Sequence, residues 1–133
     1  MAKYKELVGR PSYLIAKLER QPAVDQASII AEHSDELWLC RGDLGAELGL
    51  RAMAETVHLL SLKVRKIRTP MILAGQVFEH LTNHPLPTRS EVCHLYEMLS
   101  FGYQGVVLSD ETAIGKYPLE SVQAASLFRE NNS

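Results

Sequence analysis

Four short apolar runs punctuate the chain, at residues 13–18 (YLIAKL), 36–40 (ELWLC), 70–74 (PMILA) and 105–108 (GVVL). Bounded by polar or turn-forming residues, they read as buried strands. Their starts lie 23, 34 and 35 residues apart, too far for hairpins and suited to strand–helix–strand crossovers. The segments between them carry helical stripes. Leu50, Met53, Val57, Leu60 and Val64 recur every three or four residues, with Arg51, Glu55 and Arg65 off the stripe. Val24, Ala27, Ile30 and Ala31 form a shorter stripe before Ser34, and Val92, Leu95 and Leu99 form a third. Gly102, just past that third stripe, is placed for a left-handed C-cap. A fourth helix is predicted from near Leu119, behind Pro118, with no breaker until Asn131. Residues 3–8 fit one or two helical turns ahead of the first strand. The alternation is (βα) four times, which predicts an α/β fold with a parallel sheet.

Composition narrows this to one domain. The 133 residues are enough for a single core, and no repeat, low-complexity tract or linker divides them. One domain over residues 1–133 is expected, with residues 1–12 as a short helical lead-in. Fourteen Lys and Arg against sixteen Asp and Glu leave a net charge of −2, without the basic footprint of a general nucleic-acid binder. No apolar run reaches the roughly 18–20 residues that span a bilayer, and the opening MAKYKELVGRPSYL has no signal-peptide core. No nucleic-acid or membrane partner and a cytoplasmic location are therefore expected. Cys40 and Cys93 form no CxxC pair and read as two reduced thiols, Cys40 as a packing residue.

In parallel α/β folds chemistry gathers where strands end and helices begin. After the first strand, Lys17 and Glu19 stand two apart, so an extended chain points both to one face. After the second comes Arg41-Gly42-Asp43-Leu44-Gly45, read as a loop whose glycines let backbone approach a ligand while Asp43 offers a second carboxylate. Two carboxylates and a lysine at neighbouring strand ends suit a hard divalent cation and an anionic substrate. A Lys–Glu pair and a Gly-Asp-Leu-Gly turn that merely close loops would give the same letters.

These residues also carry a family resemblance. IAKLE (15–19) is similar to the I-S-K-I-E motif of pyruvate kinase strand five, and RGDLG (41–45) is identical to the strand-six motif. PMILAGQVFE (70–79) resembles the strand-seven segment P-V-I-x-A-T-Q-M-L-E, and PTRSEV (87–92) resembles P-T-R-A-E-V. VLSDETA (107–113) with GKYPLE (115–120) resembles the strand-eight M-L-S-G-E-T-A and the G-x-Y-P-x-E that follows. The likeness is collinear from about Tyr13 to Val122.

The resemblance implies the strand-five-to-eight half of a TIM-type (β/α)8 barrel. It implies Glu19 and Asp43 as ligands of Mg²⁺, for which Mn²⁺ could substitute. Lys17 would be the catalytic lysine that stabilises the enolate oxygen of pyruvate. Arg41, Gly42 and Asp43 would be substrate-binding, the backbone of the first two contacting the substrate carboxylate. The ligand implied is phosphoenolpyruvate or a related small oxo-acid.

Departures matter as well. Gly75 stands where the family has a substrate-contacting threonine, Asp110 where it has glycine, and His94 where an aspartate follows P-T-R-A-E-V-S. A (β/α)8 barrel takes about 250 residues, and the family's first four strands supply most of its phosphoryl and nucleotide contacts. Kinase activity of this chain by itself is therefore doubtful, leaving metal-assisted enolisation or decarboxylation as conceivable chemistry. The alternatives are a non-catalytic assembly or regulatory protein, or one subunit of a split kinase. Four strands alone leave two open edges and no opposite wall, so closure by a homo-oligomer or by a complementary half-barrel chain is expected.

Other motifs have plainer readings. His80 and His84 have the HxxxH spacing of a zinc pair, but Asn83 and Pro85 argue against a continuing helix, and solvated loop histidines are expected. Trp38, in mid-strand, reads as core or interface. Gly115-Lys116 is not a P-loop, because Asp110 stands at its first glycine and Tyr117 at its Ser or Thr.

Overall fold

The computed structural model describes residues 12–129. The predicted lead-in over residues 3–8 lies outside them. Four parallel strands, β1 (Ile15–Leu18), β2 (Glu36–Cys40), β3 (Met71–Ala74) and β4 (Gly105–Val107), lie in the order β1-β2-β3-β4. The helices are α1 (Gln21–Asp25), α2 (Ala27–Glu32), α3 (Arg41–Leu48), α4 (Leu50–Ser61), α5 (Arg89–Phe101), α6 (Asp110–Ala113) and α7 (Pro118–Ala125). Two 3₁₀ turns, Val64–Lys66 and Glu79–Thr82, complete the elements. The result is an open half-barrel, whose outer strands β1 and β4 each have a single neighbour.

Register assigns the two faces. Lys17 pairs with Trp38, Trp38 with Ile72 and Ile72 with Gly105, so these residues share one face. Leu18, Leu39, Leu73 and Val106 line up on the other. On that second face Leu18, Leu37, Leu39 and Leu73 are fully buried, packed with Val57, Leu60, Val64, Met98 and Tyr103 from the helical layer. A smaller core of Val77, Phe78, Leu81, Leu95 and Ala124 seals the β3 and β4 ends against α5 and α7. Among the described residues no helix covers the first face, and Ile15, Lys17, Trp38 and Val107 keep solvent access.

Several boundaries differ from the sequence reading. β1 starts at Ile15 rather than Tyr13, and β3 at Met71, because Pro70 has no N–H to give a ladder. β4 stops at Val107, before Leu108. The 24–31 stripe is two short helices broken at Gln26, and the last helix ends at Ala125, not near Asn131. RGDLG is no loop. It forms the first turns of α3, which begins directly at the end of β2.

α5 starts with a capping box that explains the PTRSE letters. Thr88 Oγ1 accepts the Glu91 N–H at 3.0 Å, and Glu91 Oε1 accepts the Thr88 N–H at 2.9 Å. At the other end Gly102 adopts φ 118° and donates its N–H to the Leu99 carbonyl, the left-handed cap predicted.

Candidate functional site

The C-terminal ends of β1 and β2 lie side by side, which brings Lys17, Glu19 and Cys40 together with the first turn of α3. Lys17 Nζ lies 2.5 Å from Glu19 Oε1, the same-face geometry expected of residues two apart on extended backbone. The hydrogen bond to Glu19 holds the ammonium above the usual lysine range, with further electrostatic contributions from Cys40, Glu19 and Asp43. Cys40 is buried, and desolvation raises its thiol while Lys17 works against the rise. Lys17 and Glu19 thus stand paired at the mouth of the half-barrel, with Cys40 and Asp43 close enough to add to the field at Lys17.

The pair is accessible. The Lys17 and Glu19 side chains are 52% and 35% exposed, so water screens their attraction and an incoming cation or anion can compete for either. Among the described residues no three His, Cys, Asp or Glu side chains converge in a way that could hold a metal ion. The donor set fits a hard cation only in the economical manner of Mg²⁺, with two carboxylates and the remaining oxygens from water or ligand. Lys17 engages one Glu19 oxygen directly, so cation and ammonium would share that carboxylate.

Arg41, Gly42 and Asp43 occupy the first turn of α3, with Gly42 and Asp43 exposed. A Cβ on Gly42 would meet nothing within 4 Å, so its backbone is open to a ligand. The Arg41 side chain turns away from Lys17 towards the helical side. Its Nε donates to the Ala74 carbonyl at 3.2 Å, its Nη2 to the Gly75 carbonyl at 2.5 Å, and its Nη1 meets His94 Nε2 at 2.6 Å.

Gly75 has a structural reason to lack a side chain. It adopts φ 88°, and a Cβ there would stand 3.1 Å from the Gly42 nitrogen and 3.3 Å from the Arg41 nitrogen. A threonine would be strained in that conformation and crowded against backbone. Gln76 follows with φ 54°, so two successive residues after β3 have left-handed backbone.

Two site-shaping residues were not visible in the sequence pattern. Glu111 is 1% exposed, and its carboxylate accepts the Phe78 N–H and the Ser109 N–H, both at 2.9 Å. It thereby ties the loop after β3 to the loop after β4. Glu91, besides capping α5, accepts the His80 N–H at 3.1 Å and anchors the 3₁₀ turn. A glutamate three residues after Thr88 was the available signal for the cap, whereas burial of Glu111 depends on a backbone donor far away in sequence. His80 and His84 stack with ring centroids 3.9 Å apart, and the His84 ring approaches the His80 carbonyl, so they form a ring pair outside the strand-end site. Trp38 is half-buried on the helix-free face, where its indole N–H donates to Glu36 Oε2 at 2.5 Å.

Fold and site together define half of a parallel α/β barrel with an ammonium–carboxylate group at its strand ends. The pyruvate kinase barrel-domain family model matches residues 4–122, and the chain belongs to that family. It is 39% identical over 121 residues to a pyruvate kinase of Buchnera aphidicola subsp. Baizongia pistaciae, covering 89% of this chain and 25% of that protein. It is 38% identical over 115 residues to a pyruvate kinase of Leishmania mexicana, covering 86% of this chain and 23% of that protein. Among solved structures, a pyruvate kinase from Cryptosporidium parvum superposes with a TM-score of 0.80 at 30% identity, over 90% of this chain and 24% of that one. The chain spans about a quarter of the length of the curated relatives it matches. Among the described residues no helix is long and apolar enough to cross a membrane.

Proposed function

We propose that this chain carries part of a Mg²⁺-dependent site for phosphoenolpyruvate, pyruvate or a related small oxo-acid. The observation that carries the reading is the Lys17–Glu19 ion pair at the end of β1, with Asp43 in the adjoining first turn of α3 beside the open backbone of Gly42. Glu19 and Asp43 would hold the cation, which supplies Lewis-acid polarisation of the ligand's oxygens when bound. Lys17, 2.5 Å from Glu19, would balance the negative charge that grows on an enolate oxygen. The Arg41–Gly42 backbone, at the start of a helix, presents N–H groups to the ligand carboxylate.

Phosphoryl transfer to ADP is positioning plus charge neutralisation around the phosphates, and needs donors beyond this quarter-length chain. Our reading is therefore a binding half-site that becomes a kinase site only when a second half-barrel completes it. The helix-free face and the open edges of β1 and β4 support such a partner, whether a second copy or a complementary chain.

Calorimetry with Mg²⁺ and oxalate tests the site. Wild type is expected to bind oxalate only with the metal present, and Glu19→Ala to weaken that binding at least tenfold. Absence of heat for wild type, or unchanged heat for the variant, removes the proposal. Sedimentation of the purified chain tests the partner: the expected species is a dimer or larger, and a stable monomer at micromolar concentration, unchanged on adding a complementary half-barrel chain, overturns it.

A further inference from the structure

The second region with chemistry lies on the opposite, helical side of the sheet. A cavity of about 730 Å³ opens between α4 and α5, with α3 and the turn after β3 closing one end. Its size falls in the range of small-molecule sites. Met53, Val57, Met98 and Phe101 supply an apolar wall, while Arg41 and His94 meet at the closed end.

The charge of Arg41 is what makes the cavity selective. Its partners are two carbonyl oxygens and an imidazole nitrogen, and among the described residues no carboxylate forms an ion pair with it. A guanidinium can only donate, so His94 accepts at Nε2 and stays neutral, with its proton on Nδ1. One full positive charge therefore stands at the end of an apolar-walled cavity, beside a neutral N–H donor. Glu97 also lines the cavity one turn further along α5, where its exposed carboxylate offsets part of the Arg41 charge from the rim.

We propose that this cavity binds a small amphipathic anion, its acidic group on Arg41 and its flat apolar body between the two methionines, Val57 and Phe101. Methionine sulfurs and an aromatic ring adapt well to a planar apolar guest. The proposal does not rest on the oxo-acid reading, because it uses the Arg41 guanidinium and the apolar wall, whereas Lys17 and Glu19 do not line this cavity.

The experiment uses the full 133-residue chain, ¹⁵N-labelled, titrated with 2-naphthoate and separately with its uncharged analogue 2-naphthylmethanol. Saturable shifts are expected at Ala54, Met98 and Phe101, with naphthoate binding at least tenfold tighter than the alcohol. Arg41→Gln should bring naphthoate down to the alcohol's affinity and leave the alcohol unchanged. Ala54→Trp, which fills the cavity, should abolish both while the sheet resonances persist. Should Arg41→Gln fail to fold, Glu97→Gln decides: removing the rim carboxylate should tighten naphthoate and not the alcohol, and equal or weaker naphthoate binding counts against the proposal. Lack of saturable shifts, equal affinity for acid and alcohol in wild type, or shifts centred on Trp38 and Ile72 would overturn it.

Discussion

The two faces of the sheet are built from similar letters and live in different surroundings. On one face Leu18, Leu37, Leu39 and Leu73 are sealed under helices at 0% exposure. On the other Ile15 is 38% exposed, and Trp38 and Ile72 are only partly covered. Apolar content alone therefore does not tell which side holds the chain together. The helix side supplies the stability, and the bare side leads to the Lys17–Glu19 mouth.

The largest expected effect separates the faces directly. Leu39→Ala should cost about 2–5 kcal/mol through lost burial and a residual cavity, whereas Ile15→Ala should cost about 1 kcal/mol or less. Urea unfolding of both variants measures the gap. Equal losses would break the comparison, and a loss for Ile15→Ala that grows with protein concentration would sharpen it by showing that a partner covers the bare face.

Next in size is the tie between the β3 and β4 loops. Glu111→Ala strands the Phe78 and Ser109 N–H groups, one of them in the smaller core. The expected cost is about 1–3 kcal/mol, mostly from the buried Phe78 N–H left without a partner. Thermal unfolding checks it, and a near-neutral change would mean that the loops hold without the carboxylate.

The smallest effect is a pH dependence seated at the cavity end. Burial, and then the nearby Arg41 charge, lower the His94 pKa below the ordinary histidine range. A depressed histidine favours the native state most when neutral, so its contribution is present above about pH 6.5 and is lost as pH falls through the folded value. His94→Asn should flatten stability between pH 7 and pH 5 relative to wild type, as followed by urea midpoints. A parallel curve would place the acid sensitivity elsewhere.

Much of this architecture could be read from the letters. The spacing of the four apolar runs carried the parallel order, and the two-residue interval between Lys17 and Glu19 carried their shared face. What stayed hidden depended on distant neighbours. Ile15, Trp38, Ile72 and Val107 make the strand runs apolar on both faces, which reads as two-sided burial although helices cover only one. Arg41-Gly42-Asp43 reads as a loop because two glycines flank the carboxylate, yet α3 begins there without a break. The Arg41–His94 contact joins residues 53 positions apart, and each letter alone names only a charge or a ring.

The strict sequential order β1-β2-β3-β4 has a kinetic consequence. Among the described residues each strand hydrogen-bonds to the strand before or after it in the chain, so each crossover in this sheet closes a loop of moderate length. Assembly can grow from one βα unit to the next in either direction, and a nascent chain leaving the ribosome can add strands in the order in which they are synthesised.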